Sequence, residues 1–157
     1  MNLYLMVGIS GSGKSTRAKE IAAETGAVLL SSDEIRGFVN GCQSIQKNGN
    51  LVFKFLRHST EFFLANGRSV IVDATNLDKK SRKSFLEIAN KYSAETVAVC
   101  MNTDLETCIK QNNLRERKVP EEVIRRQFAK LYFPLSGDFE FDEIIVDFGT
   151  KLSKVAA

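Results

Sequence analysis

Short apolar runs alternate with segments of helical periodicity along the whole chain. The runs are Leu3–Val7, Ala27–Leu30, Ser69–Val72, Thr96–Met101 and Ile144–Val146. Continuous aliphatic stretches of this length suit strands covered on both faces, and strands separated by helices build a parallel sheet. Between the runs, Lys14–Glu24 reads as a helix ended by Gly26, a residue suited to the left-handed C-cap. Leu51–Ala65 places Val52, Phe55, Leu56, Phe62 and Phe63 on one stripe expected to face the core. Asp78–Tyr92 and Pro120–Tyr132 are further helices, the second opened by proline with two acids behind it. Gly37–Asn50 carries three Gly and three Asn with little periodicity, and reads as a mobile connection. The pattern predicts an α/β fold of three layers, a five-stranded parallel sheet with helices on both faces, spanning residues 1–157 as one domain.

Composition changes this picture little. The 157 residues are 43% hydrophobic and 26% charged, which suits one soluble, well-buried core. A net charge of +3 permits a phosphate-rich partner without indicating a dedicated nucleic-acid binder. Cys42, Cys100 and Cys108 show no CxxC spacing and read as reduced structural thiols in a reducing cytosol. His58 is the only histidine, so no histidine cluster can hold a metal. The apolar start Asn2–Val7 lacks a basic flank and is too short for a signal sequence. No run reaches membrane-spanning length. The expected location is the cytoplasm, with no membrane partner.

The chemistry begins where the first strand ends. Gly8-Ile9-Ser10-Gly11-Ser12-Gly13-Lys14-Ser15 has the spacing GxxxxGK[ST] between a strand and a helix. Glycines at Gly8, Gly11 and Gly13 let the backbone curl around an anion with its N–H groups inward; Ser10, Ser12 and Thr16 complete the cradle. Lys14 is placed to reach the β- and γ-phosphates of ATP, the Ser15 hydroxyl to ligate Mg²⁺, and the helix N-terminus adds its dipole. Asp73 closes the strand Ser69–Val72. At the carboxyl end of a parallel strand it would sit beside the cradle and could hold the same Mg²⁺; as an ordinary strand-ending acid it would need no such role.

Ser31-Ser32-Asp33-Glu34-Ile35-Arg36 follows the second strand. Ser31 with Glu34 fits a capping box, which accounts for Glu34 but not for Asp33 and Arg36, three apart on one helix face. A carboxylate beside a guanidinium can orient a hydroxyl and grip a phosphate. Asp104–Lys118 reads as a short helix followed by a cation-rich stretch holding Arg115, Arg117 and Lys118. That stretch is either a solvated face or a lid that carries arginines to a transferring phosphoryl group.

Taken together, Gly8–Ser15, Ser32-Asp33-Glu34-Ile35-Arg36, Val70-Ile71-Val72-Asp73-Ala74-Thr75-Asn76-Leu77 and Arg115 followed by Val119-Pro120-Glu121-Glu122-Val123-Ile124 resemble the kinase domain of phage-type polynucleotide 5′-kinases, within the small P-loop kinases. The resemblance implies a P-loop NTPase kinase fold with a small lid over roughly residues 104–118. It implies Asp33 as general base toward the 5′-hydroxyl of DNA or RNA, Arg36 on a phosphate of the acceptor, and Arg115 on the donor phosphates, with Lys14 as a further catalytic residue. Such lids usually carry two arginines four apart; here the position four before Arg115 is Gln111, and Arg117 is the candidate substitute. Ile144–Thr150 resembles the nucleophile loop of the phosphatase domain fused to some of these kinases but lacks its second aspartate, so it reads as the last strand and no 3′-phosphatase activity is expected.

Three functions fit in different degrees. The first is an ATP- and Mg²⁺-dependent kinase of polynucleotide 5′-hydroxyls. The second is a kinase of a small alcohol such as a nucleoside, sugar or antibiotic, since fold does not fix substrate. The third is an ATPase or nucleotide switch without an acceptor, for which the lid arginines would be superfluous.

Overall fold

The computed structural model describes residues 1–41, 48–134, 140–148 and 152–155. In chain order the elements are β1 (Asn2–Val7), α1 (Lys14–Thr25), β2 (Val28–Ser31), α2 (Ser32–Asn40), α3 (Gly49–Ala65), β3 (Val70–Asp73), α4 (Lys79–Lys91), β4 (Glu95–Met101), α5 (Leu105–Asn113), α6 (Glu121–Lys130), β5 (Glu143–Asp147) and β6 (Leu152–Val155). The sheet order is β2-β3-β1-β4-β5-β6. The first five strands are parallel, as their apolar runs predict, and β6 adds an antiparallel edge, with Ile145 opposite Lys154. This sixth strand is not expected from the hydrophobic pattern, which ends at Val146. A four-residue strand that pairs one open edge needs no apolar run of its own.

Strand β1 runs through the middle of the sheet and is covered on both faces. Leu3, Leu5 and Val7 pack with Leu56, Leu64 and Phe85 of α3 and α4 on one side. Met6 packs with Ala18, Ile21, Ile71 and Val99 on the α1 side. Each such fully buried aliphatic side chain contributes about 1.5–3 kcal/mol relative to exposure. A third cluster, Ile9, Cys108, Ile109 and Ile124, seats α5 and α6 on the loop that follows β1.

Two expectations are corrected. The stretch expected to be a mobile connection from Gly37 is helical as far as Asn40, where Gly41 caps α2 in the left-handed conformation (φ 69°). A helical glycine costs about 1 kcal/mol; Val39, packed against the core beyond it, offsets that cost. Residues 42–47 of that stretch, Cys42 and Lys47 included, lie outside the described residues. On α3 the buried positions are Val52, Leu56, Thr60 and Leu64, spaced by four, whereas Phe55 and Phe62 face solvent. The buried stripe is thus narrower than the predicted one, a single residue in every four.

Arg82 of α4 is fully buried, which no sequence pattern announces. Its Nε and Nη2 donate to Glu140 at 2.8 and 3.0 Å, and its Nη1 donates to the carbonyls of Asn76 and Tyr132 at 3.0 and 2.9 Å. Four of its five N–H donors are thereby used, against three separate segments of the chain. Removing one partner of such a buried pair costs about 3–5 kcal/mol.

Candidate active site

The turn after β1 can be tight only because two of its residues lack side chains. A Cβ on Gly11 (φ 85°) would collide with the carbonyl of Cys108, and Gly13 (φ 93°) caps α1 from the left-handed region. No side chain caps the N-terminus of α1 and no acid lies in its first turn, so its N–H groups remain available to an anion. Ser15 and Thr16 are exposed at this end. Lys14 is buried, and its ammonium donates to the Ile9 carbonyl at 2.7 Å and weakly to Ser12 Oγ at 3.5 Å. Burial pulls its pKa down to about 8, with Asp73 opposing that shift and Arg115 adding to it.

Asp73 ends β3 one strand away and is buried. The loop behind it is tied to the cradle: the Gly8 amide donates to the Thr75 carbonyl at 3.1 Å, and Asn76 Nδ2 donates to the Met6 carbonyl at 2.8 Å. Asn76 adopts φ 43°, a conformation asparagine tolerates better than most residues. On the far side Ser31 pairs with Asp73 in register, and its hydroxyl accepts the Glu34 amide at 3.4 Å. That N-cap starts α2 so that Asp33 and Arg36 face the same edge.

Lys14, Ser15, Asp33, Arg36, Asp73, Arg115 and Arg117 all line one cavity of about 160 Å³. Asp33 sits between two guanidiniums, with Arg117 Nη1 at 3.0 Å from one oxygen and Arg36 Nε at 3.8 Å from the other. Arg36 is nearly buried, yet its Nε makes no hydrogen bond among the described residues. Among those residues no group of three or more His, Cys, Asp or Glu is arranged to hold a metal ion. Ser15 and Asp73 therefore offer a small ligand set, of the kind that suffices for Mg²⁺ when phosphate oxygens and water supply the rest. A second cavity of about 620 Å³ adjoins the other side of the cradle and is lined by Gly13, Thr16, Arg17, Asn102, Asp147 and Phe148 among others.

The arginines are presented by the loop between α5 and α6. Asn112, buried at the end of α5, spans this loop: its Nδ2 donates to the Val119 carbonyl at 2.9 Å and its Oδ1 accepts the Val119 amide at 3.0 Å. No sequence signal marks this clamp, because its partner is backbone on the far side of the loop. Arg115 lines the cavity close enough to Lys14 to lower its pKa. Arg117, the candidate for the donor phosphates, pairs with Asp33 and lines the same cavity as Arg115, while Gln111 lines the second cavity. Asn112→Ala leaves both Val119 backbone groups unpaired, a loss of about 1–3 kcal/mol confined to this loop. Turnover is expected to fall at least tenfold, with the affinity for ADP within twofold of wild type, as steady-state kinetics and calorimetry would measure.

Residues 3–134 match the model of a family described as AAA domain. The chain belongs to this family: it is a P-loop kinase domain. It is 27% identical over 160 residues to the L-seryl-tRNA(Sec) kinase of Methanococcus maripaludis, covering 96% of this chain and 60% of that protein. It is 30% identical over 155 residues to a proposed bifunctional polynucleotide kinase/RNA ligase of Autographa californica nuclear polyhedrosis virus, covering 88% of this chain and 22% of that one. The domain thus spans less than two thirds of either relative's length. Among solved structures, one from the Pnkp1/Rnl/Hen1 RNA repair complex superposes with a TM-score of 0.72 at 25% identity, covering 83% of this chain and 43% of that one. No helix among the described residues is long and apolar enough to cross a membrane.

Proposed function

We propose that the domain transfers the γ-phosphoryl group of ATP to the 5′-hydroxyl of a DNA or RNA end. The observation that carries this reading is Asp33, a carboxylate held between Arg36 and Arg117 across one cavity from Lys14, Ser15, Asp73 and Arg115. The cradle amides and Lys14 bind the donor phosphates, and the second cavity takes the nucleoside, with the Phe148 ring at its wall. Mg²⁺, held by Ser15 with Asp73 beside it, neutralises charge on the transferring group when bound. Asp33 accepts the proton of the acceptor hydroxyl and orients its oxygen in line. The unsatisfied Arg36 Nε faces a phosphate of the acceptor, which would give that buried donor its partner. Phe53, Val119 and Val123 form the apolar part of the cavity, a surface on which a terminal base can rest. Arg115 offsets charge that develops during transfer, and the loop that bears it acts as the lid.

The names of the relatives, a tRNA-directed kinase and a polynucleotide kinase/RNA ligase, support an acceptor on nucleic acid over a free sugar. A second reading, transfer to a hydroxyl on an aminoacyl-tRNA, is favoured by the first of them. One panel separates these readings. γ-Labelled ATP is offered with 5′-hydroxyl DNA and RNA oligonucleotides, seryl-tRNA, nucleosides and sugars. Label is expected on the oligonucleotides, with an acceptor KM that rises with salt as counterion release requires. Label on a neutral sugar, with a KM indifferent to salt, would falsify the assignment.

A further inference from the structure

Gln127 is a cavity-lining group to which neither sequence nor resemblance gives a role. Gln127 lies on α6, the helix that leaves the arginine loop, and lines the same cavity as Lys14 and Asp33. Its side-chain oxygen Oε1 accepts the backbone N–H of Ser10 at 2.8 Å, across 117 residues of sequence. An amide N–H can only donate, so the orientation of this carboxamide is fixed by chemistry: oxygen on the cradle, nitrogen away from it.

The other carboxamides around the site are used differently. Asn112 spends both ends on Val119, and the nitrogen of Asn76 is committed to the Met6 carbonyl. Those two are stitches in the structure. Gln127 engages through its oxygen alone, and its Nε2 makes no hydrogen bond among the described residues. A residue meant only to tie α6 to the cradle would need no more than the acceptor, which a glutamate supplies as well. What glutamine adds is a pair of neutral N–H donors, on a side chain held by the Ser10 contact that lines the cavity with Lys14 and Asp33.

We propose that Gln127 is a phosphoryl-positioning residue, anchored on Ser10 through Oε1 and donating from Nε2 to the terminal phosphoryl group of a nucleoside triphosphate. The proposal rests on the donor-site reading given above and is independent of which acceptor is used. It places Gln127 on the γ-phosphate, beyond the reach of a diphosphate, and it couples α6 to cradle occupancy. Hydrogen bonds to a charged group contribute enough that losing one weakens binding by roughly tenfold or more.

The test compares two nucleotides on three proteins. Mg·ADP and Mg·AMP-PNP are titrated calorimetrically into wild type, Gln127→Glu and Gln127→Met, with thermal melts to verify folding. Gln127→Glu keeps the acceptor for Ser10 and the side-chain size but turns an anionic oxygen toward the phosphates. Gln127→Met keeps the size and loses both polar atoms. Expected is a loss of AMP-PNP affinity of about tenfold in Gln127→Met and more in Gln127→Glu, with ADP affinity within twofold of wild type in both. Equal losses for the two nucleotides, or none, overturn the proposal, because Gln127 would then merely shape the cradle or do nothing there. A wild-type protein that binds neither nucleotide overturns the donor-site reading along with it. No acceptor enters these titrations, so an error about the acceptor leaves their outcome unchanged.

Discussion

Lys14→Met lowers phosphoryl transfer by on the order of 10³–10⁵-fold for any acceptor, the range that a cation on the transferring group commands, and leaves the protein no less stable at pH 7. The first half follows from position. Lys14 is the one cation inside the cradle itself, whereas Arg115, Arg36 and Arg117 reach the same cavity from α2 and the α5–α6 loop. The second half follows from burial, which brings the Lys14 pKa from an ordinary 10.5 to about 8. A base whose pKa is lower folded than unfolded opposes folding below the folded value, and the opposition fades as pH rises from 8 to 10.5. At pH 7 the full burden, about 3 kcal/mol, is present. Methionine removes it, at the cost of the hydrogen bond to the Ile9 carbonyl, about 1–3 kcal/mol. The melting temperature at pH 7 should therefore be no lower than that of wild type.

The same lowered pKa makes a second readout available. Phosphates bind the ammonium form, and above about pH 8 the free protein loses it. ADP affinity of the wild type should fall as pH rises from 7.5 to 9.5, approaching tenfold per unit at the upper end. In Lys14→Met this fall should be absent. Transfer near wild-type rates in the variant would contradict the cradle assignment, and a flat pH profile in the wild type would contradict the buried state of Lys14.

Much of this architecture is legible in the chain because local signals and burial agree. The central strands are buried on both faces, so their apolar runs are continuous and their ends coincide with polar residues such as Asp73. The cradle declares itself because only glycine fits at Gly11 and Gly13. What stays hidden are contacts between residues distant in sequence. Arg82 looks like any helix arginine until Glu140, Asn76 and Tyr132 close around it. Gln127 gives no signal because its partner is a backbone amide 117 residues away. The pairing of Arg117 with Asp33 depends on how α5 and α6 enter and leave the loop, which the Asn112 clamp sets. Spacing alone could rank Arg117 only by its distance from Arg115.

That pairing makes Asp33 the informative residue to change. Asp33→Asn is expected to lower turnover by about 10²–10⁴, the range for a general base, with ADP affinity within twofold of wild type. Folding should be unaffected, because the Asp33 side chain is 52% exposed and ion pairs so open to water are worth little. Two mechanisms could nonetheless give the same loss. Asp33 could act on the acceptor hydroxyl, or it could serve only to hold Arg117 and the loop behind it. Arg117→Ala separates them. If Asp33 acts on the hydroxyl, Arg117→Ala costs much less than Asp33→Asn, and the double variant is about as slow as Asp33→Asn alone or slightly slower. If Asp33 merely anchors the loop, the two single variants and the double variant share one rate, since each breaks the same contact. The geometry favours the first outcome. Arg36 also lies 3.8 Å from Asp33, so the carboxylate keeps a cationic neighbour when Arg117 is gone, and its place at the cavity wall does not depend on the loop. Turnover of a 5′-hydroxyl oligonucleotide, measured at saturating ATP in all four proteins, decides between the two.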